Sequence, residues 1–471
     1  MSEEKEFPKG WEIVRLGDFV IYQKGKKPKL ISNEKTTKCN IPYVNIKAFE
    51  KNIIEEYTDG EGCVFCEDED FLMVWDGARA GFIGKAIKGA LGSTLVKISF
   101  LGIVLNYAYY YLLSKYLEIN TKAKGTGIPH VNPDLLWNYK FPLPPLAEQH
   151  RIVAKIEELF SSLDKGIESL KTAQQQLKIY RQAVLKWAFE GKLTKGLNRD
   201  ASHFSDQQDS ANPQHHTHHN HQSSDNGDLP KGWKLKRVHE IAWVNPKLPF
   251  ENISDDLEVS FLPMKYVEEV INKINLVETR KYGQVKKGFT PMTDGDVIFA
   301  KITPCMENGK IAIVHSLKNK IAFGSTEFHV LRCMDGYFNS YLFYYLVQER
   351  TRQEAERNMT GAVGQRRVPK SFLENLVVPI PPTLVEQRLI VSEIEKRLSV
   401  CDKLEESINA ALQQAEALRQ SILKKAFEGK LVPQDPNDEP ASVLLERIRA
   451  EREKNKPDKS NKKSKKSQKS K

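Results

Sequence analysis

Arg151–Thr194 reads RIVAKIEELFSSLDKGIESLKTAQQQLKIYRQAVLKWAFEGKLT, and Leu389–Val432 reads LIVSEIEKRLSVCDKLEESINAALQQAEALRQSILKKAFEGKLV. The two stretches align without a gap and agree at roughly half their positions, a period far too long for a short-repeat solenoid. In the first, Val153, Ile156, Phe160, Leu163, Ile167, Leu170, Leu177, Val184 and Ala188 fall on alternating three- and four-residue steps. Val391, Ile394, Leu398, Cys401, Ile408, Leu412, Ala415, Ile422 and Ala426 do the same in the second. That spacing predicts the a/d seam of a coiled coil over about five heptads. Each predicted helix ends in EGKL, whose glycine (Gly191, Gly429) suits the residue just past a helix C-terminus. Two matching seams in one chain most simply satisfy each other.

The repeat extends outward from the helices. Pro8-Lys9-Gly10-Trp11 opens the first half and Pro230-Lys231-Gly232-Trp233 the second. Each opening is followed by short β-branched and aromatic runs broken by Gly, Asn and Asp: Ile41–Ile46, Phe71–Trp75 and Leu95–Phe100, then Asp296–Ala300 and Lys310–Val314. Gly92-Ser93-Thr94 matches Gly324-Ser325-Thr326, and a tyrosine-rich helical stretch, Asn106–Tyr116, matches Asn339–Gln348. Pro142-Leu143-Pro144-Pro145 and Pro379-Ile380-Pro381-Pro382 then lead to Glu148-Gln149 and Glu386-Gln387 at the helix starts, where proline costs least. The expectation is an α+β chain with a pseudo-two-fold internal repeat. Two mixed α/β domains, 1–145 and 230–382, are separated by two long helices, 146–193 and 383–431, that form an antiparallel coiled coil. A linker, 194–229, and a tail, 432–471, complete the chain. Between the shared landmarks the two globular halves have little in common, as two variable reading heads on one support would.

A formal net charge of +10 suggests nucleic acid, but residues 454–471 hold nine Lys and one Asp, so the body is nearly neutral. DNA contact must then come from local patches. Six scattered cysteines, an N-terminus without a signal-peptide pattern, and a longest apolar run (Phe100–Leu113) interrupted by Asn106 point to a reduced, cytoplasmic protein with no membrane span. The linker carries His215, His216, His218, His219 and His221, a tract able to bind a divalent metal, although its composition is that of a low-complexity connector. In the tail, Leu444, Leu445 and Ile448 share one face of a short helix, followed by a Lys/Ser segment that either adds non-specific DNA affinity or aids solubility.

Catalytic motifs are missing. No G-x-x-x-x-G-K-[ST] and no G-x-G-x-x-G occurs, and the Pro-Pro pairs are followed by Leu146 and Thr383, not by the aromatic of an amino-methyltransferase tetrapeptide. Cys63-Val64-Phe65-Cys66 has no second ligand pair at finger spacing and reads as two half-buried strand cysteines, and the body histidines form no ligand-spaced cluster. What remains is a set of glycine-flanked basic clusters: Lys24, Lys26, Lys27 and Lys29 beside Tyr22; Lys122, Lys124 and Thr126 before His130; Lys286-Lys287; and Gln365-Arg366-Arg367. Lysine and arginine in such turns can approach phosphates, and Gln or Arg can reach base edges. Taken singly, each is also an ordinary solvated turn.

At the doubled EGKL helices, the PLPP-then-EQ entries, the PKGW openings and the ending KLVPQDPNDEPA, the chain closely resembles the specificity subunit of type I restriction–modification systems. AKITPCMENGK (Ala300–Lys310) and FGSTEFHVLR (Phe323–Arg332) also resemble that family's target-recognition domains, which adds Thr303, Asn308 and Lys310 to the DNA-binding candidates. The resemblance implies a non-catalytic subunit whose two target-recognition domains each read half of a bipartite site in double-stranded DNA. It implies two methyltransferase subunits that bind S-adenosylmethionine and methylate adenine N6, and two restriction/translocase subunits using ATP and Mg. This chain itself is expected to bind no cofactor. Glu148, Gln149, Phe189, Lys192, Glu386, Gln387, Phe427 and Lys430, at the entries and ends of the helices, are the expected partner-docking residues. Helices of about 43 residues span roughly 65 Å and can set half-sites about one 34 Å duplex turn apart. Gln174, Arg181, Glu405 and Arg419 interrupt the seam; they either specify register and antiparallel pairing or snorkel outward. The alternatives are a methyltransferase or nuclease with degenerate motifs, and a coiled-coil scaffold without a DNA role.

Overall fold

The computed structural model describes residues 7–68, 70–125, 127–193, 229–275, 277–362 and 364–454. The expectations for the His-rich linker, for the Lys/Ser segment after 454 and for Thr126 lie outside them. The chain divides into two compact units: Met1–Leu170 with Ala410–Lys471, and Lys171–Asn409. Each long helix contributes one part to each unit.

In the first unit, Glu12–Arg15 pairs antiparallel with Lys140–Leu143, bringing the start of the head beside the entry to the helix. A four-stranded sheet follows in the order Val20–Lys24, Leu95–Phe100, Phe71–Val74, Ile83–Lys85. A five-stranded sheet of short strands includes a parallel pair, Ile41–Val44 with Gly89–Leu91. The second unit repeats the plan. Lys234–Arg237 pairs with Val377–Ile380; one sheet is ordered Ala242–Val244, Phe328–Cys333, Val297–Ala300, Ile311–Ile313; the other has a parallel pair, Glu258–Leu262 with Ile321–Gly324. Phe71-Leu72-Met73-Val74 and Val297-Ile298-Phe299-Ala300 are buried throughout. Unbroken apolar runs suit strands covered on both faces.

The two long helices are Leu146–Phe189 and Leu384–Phe427, 44 residues each. The polar seam residues make contacts across the two helices. In the second unit Gln174 donates to Asn409 at 3.2 Å, and Arg181 reaches Asp402 at 2.6 Å and Glu405 at 3.0 Å. In the first unit Arg419 is paired with Asp164. Within the second unit the residue numbers of Gln174–Asn409 and Arg181–Asp402 add to one common total, which is the signature of antiparallel pairing. Arg181–Asp402 and Arg419–Asp164 are counterparts under the internal repeat. Of the two readings of these interruptions, cross-helix pairing describes them.

The repeated motifs meet in one knot per unit. In the first, the Trp11 indole donates to Glu148 at 3.0 Å, and the Tyr107 hydroxyl donates to the Pro142 carbonyl at 2.8 Å. Gln149 accepts from the Val104 amide and donates to the Pro144 carbonyl. The Phe427 ring meets Tyr107 and Tyr111 edge-on, both with centroids 5.3 Å away. Gly429 (φ +69°) lies so close to Pro8 that a Cβ would collide with its ring. In the second unit Trp233 donates to Glu386, Tyr341 to the Pro379 carbonyl, and Gln387 accepts from the Phe338 amide. There Phe189 packs on Tyr341 and Tyr345, and Gly191 abuts Pro230. The AFEGKL end of each helix thus plugs the head from the other half of the sequence.

Only the first knot carries the C-terminal segment among the described residues. Arg151 binds Asp438 through both guanidinium nitrogens, Gln434 donates to Glu148 at 3.5 Å, and the Ala441 amide donates to the Gly10 carbonyl. The helix Ala441–Lys454 buries Leu444, Leu445 and Ile448 in that head's core. Burial raises the Glu148 carboxyl above its ordinary pKa, against the lowering effect of the Trp11 and Gln434 hydrogen bonds.

Candidate nucleic-acid interface

Most of the expected docking residues turn inward. Glu148, Gln149 and Gln387 are buried, Phe189 and Phe427 belong to the cores, and Glu386 is held by Trp233. These six side chains tie the knots, and of them only Glu386 keeps part of its surface exposed. Lys192 and Lys430 are exposed, paired with Glu190 and Glu428. A Glu-Gln pair in a first helical turn looks solvent-facing from sequence alone; the tryptophan that buries it lies more than a hundred residues away.

The DNA-binding candidates are brought together more selectively. In the first head, the chain leaving Val20–Lys24 runs as an exposed arm through Lys26, Lys27 and Lys29. Gly25 makes its path possible, since a Cβ there would overlap the Leu91 and Gly92 carbonyl oxygens; the Gly25 and Lys26 amides donate to Leu95 and Leu91. Lys24 is clamped to Asp76 at 2.8 Å. Asp76 bridges to His130, and His130 to Lys124, so that Lys124 and His130 pair as the two sides of a hairpin laid against the strand end at Trp75-Asp76. Gly125, at φ +108° and packed on the Ile128 carbonyl, permits the turn. Lys24, Lys26, Lys27, Lys124 and His130 therefore gather on one edge of the head, whereas Lys122 turns back to Glu118.

An equivalent hairpin occurs in the second head. Arg367 bridges to Thr360 and to Ile302, as His130 does to Lys124 and Asp76. The Thr303 amide donates to the Arg366 carbonyl, and the Val368 amide to the Lys301 carbonyl. Arg367 grips both oxygens of Glu327, at 2.9 and 2.8 Å, and holds that carboxyl below its ordinary pKa. Gln365 is exposed; Arg366 is half-exposed, 3.6 Å from Glu356; and Thr303 donates to Glu307. Thr303, Gln365, Arg366 and Arg367 thus converge. Asn308 and Lys310 do not join them: Asn308 binds Glu269, and the Lys310 ammonium donates to the Val267 carbonyl. Lys286 pairs with Asp255 beside the other sheet of this head, with Lys287 exposed next to it.

The sequence did not single out Trp75, Asp76, Trp137, Lys301 or Glu327. A signal for them existed in the matched GST loops. The Trp75 and Asp76 amides both donate to the Thr94 carbonyl, and Glu327 directly follows Thr326. Among the described residues no group of His, Cys, Asp or Glu could hold a metal ion, and no helix is long and apolar enough to cross a membrane. Cys66 is a buried strand residue whose thiol, directed at the Ile87 and Gly89 carbonyls, is pushed up by burial to about 11.

Comparison with known proteins places this arrangement. The model of the type I restriction modification DNA specificity domain matches twice, at residues 8–178 and 230–414. The chain is 38% identical over 267 residues to the type I restriction enzyme EcoEI specificity subunit of Escherichia coli, covering 48% of the chain and 44% of that protein. It therefore spans less than half of that relative. It is 27% identical over 452 residues to the MjaVIII specificity subunit of Methanocaldococcus jannaschii, covering 90% of the chain and 93% of that protein. A chain from a structure of complex assembly in the type I R-M system shares the fold with a TM-score of 0.65 at 20% identity, over 90% of this chain and 99% of that one. The HsdS subunit from Thermoanaerobacter tengcongensis does so with a TM-score of 0.51 at 20% identity, over 91% and 100%.

Proposed function

This chain belongs to the type I restriction–modification DNA specificity family, and from that premise we propose that it is the DNA-reading subunit of a type I restriction–modification complex. Each head reads one half of a bipartite, gapped site in double-stranded DNA, and the helices set the gap. The observation that carries this reading is the shared hairpin: one backbone bridge pattern at 124–130 and 360–367, presenting Lys124 and His130 in one head and Arg366 and Arg367 in the other. A constant support with changed tips is what reading two different half-sites requires.

The chain supplies no catalysis in this reading. Two methyltransferase subunits, which bind S-adenosylmethionine and methylate adenine N6, and two ATP- and Mg-dependent restriction/translocase subunits complete the assembly. With the Glu-Gln entries tied internally, docking in the second unit falls on exposed apolar residues of the long helices: Ile179, Val385, Val400 and Leu404.

Selection of duplexes from a random pool by the chain with its methyltransferase partner should return one gapped site with strongly salt-dependent affinity. Complex formation without sequence preference would leave only a scaffold, and methyl transfer by the lone chain would favour an enzyme. Deleting one heptad from both helices should shorten the gap or abolish binding; an unchanged gap would overturn the ruler role.

A further inference from the structure

Beside the first head's basic edge lies a cluster of three near-parallel aromatic rings. Tyr22 stacks on Trp137 at 5.0 Å and on Trp75 at 6.0 Å, with interplanar angles of 22° and 9°; the two tryptophans are 6.1 Å apart. Tyr22 is 51% exposed although two indoles back it. The Trp137 indole nitrogen is buried with no acceptor, so ring contact, not a hydrogen bond, holds that side chain. Trp75 immediately precedes Asp76, the clamp of Lys24, and the Lys26–Lys29 arm continues from the same strand as Tyr22.

Among the described residues the second head has no such three-ring stack; its exposed Trp243 stands one position earlier, at the place of Ile21. Val20 pairs with Phe100 as Ala242 pairs with Cys333, which puts Val244 where Tyr22 stands. Lys301 follows Val297–Ala300 as Trp75 follows Phe71–Val74, and Glu374 takes the place of Trp137 in the short helix before the last strand. Three aromatics have become a valine, a lysine and a glutamate.

An exposed aromatic ring beside lysines is the arrangement by which proteins hold unpaired bases, since every base has a π face and every nucleotide a phosphate. A base within an intact duplex has both faces covered by its neighbours and cannot use such a ring. We propose that Tyr22, backed by Trp75 and Trp137, is a stacking platform for an unpaired nucleobase. The first head then holds an unpaired base on its own side chains, a contact for which the described residues of the second head offer no equivalent ring stack. This rests on the reading that the heads bind DNA.

The test uses the full chain with its methyltransferase partner and the selected duplex, intact or carrying a single unpaired thymine scanned through each half-site. An unpaired base removes the opening cost, so one position in the first half-site should tighten binding on the order of tenfold through Tyr22, whereas a gain at a base the methyltransferase extrudes, in either half-site, should not depend on Tyr22. Y22F should keep the gain and Y22A lose it, with an unchanged unfolding midpoint; Y22L, apolar but without a ring, replaces Y22A if the latter does not fold. No tightening at any position of the first half-site, or no gain there that is lost in Y22A and Y22L, would overturn the platform. If no duplex is selected at all, the DNA-reading proposal fails instead. Binding of the oligothymidylate dT20 then decides the platform alone: loss in Y22A but not Y22F supports it, and equal binding overturns it.

Discussion

The hairpins at 124–130 and 360–367 share a backbone and differ in nearly everything chemical. In one, His130 lies between Lys124 and Asp76; in the other, Arg367 lies between Thr360 and Ile302 and is gripped by Glu327. The knots behind them show the opposite behaviour: Trp11–Glu148 recurs as Trp233–Glu386, and Tyr107–Phe427 as Tyr341–Phe189, with nearly the same geometry. Residues that bury surface or tie distant strands are constrained by their partners. Hairpin residues such as Lys124, Thr360 and Gln365 face solvent and are free to diverge at little cost to stability.

The largest expected effect comes from breaking what is equal. Phe427→Ala and Phe189→Ala each empty an aromatic socket and should cost about 3–5 kcal/mol in their own unit. Hydrogen exchange resolved by segment would show protection lost around Tyr107 for one and around Tyr341 for the other. A marked inequality would mean that the two knots are not energetic counterparts.

Next is the asymmetry of the covering segment. Arg151→Leu installs the residue the second helix has at the matching position, Leu389, and strands Asp438, whose side chain is 9% exposed. Loss of a charged hydrogen-bonded pair of this kind is expected to cost about 1–3 kcal/mol. It should show as faster exchange in Ala441–Lys454. The reverse change, Leu389→Arg, should be close to neutral.

At the tips, Arg367→Ala should relax discrimination in the second half-site by about 1–3 kcal/mol and leave the first unchanged. Glu327→Gln releases the arginine's charge and should steepen the salt dependence of binding by about one unit of slope. Replacing Lys26, Lys27 and Lys29 together by Ala should weaken all sequences alike and flatten that slope by about three units. Altered preference at a single base would make the arm a base reader and not a phosphate clamp.

Much of the frame was legible because it is written twice. The a/d steps give the helices, and the paired PKGW, proline, Glu-Gln and EGKL landmarks mark their ends. What those landmarks do was not legible. Glu148 and Gln149 look like solvent-facing charge and amide until Trp11 and the Val104 amide fold over them. The hairpin correspondence was hidden because KGTGIPH and TGAVGQRR differ in length by one and share little besides glycine; only the bridges of His130 and Arg367 reveal it. The polar seam positions stood between two readings because periodicity locates a side chain on the seam but not its partner across it.

The smallest effect separates the heads by pH. His329 in the second head is buried at the position of Val96 in the first. The Asn245 carbonyl oxygen accepts the Val330 amide at 2.9 Å, which turns its NH2 toward the His329 Nδ1 at 3.1 Å. Nδ1 must therefore accept, while Nε2 donates to the Val368 carbonyl at 2.8 Å, just behind Arg367. The ring is held neutral, and burial lowers its pKa, assisted by Lys301 and Lys370 and opposed by the Val368 bond and Glu327. An unfolded histidine titrates at about 6.5. Below that pH the unfolded chain takes up a proton that the folded head resists. The stability this residue contributes is complete above about pH 6.5 and is lost as pH falls toward the folded value. Exchange protection in the 360–368 hairpin should therefore decline between pH 7.5 and 5 more steeply than in 124–130. His329→Gln should remove the excess, and an unchanged decline in that variant would assign it to other groups.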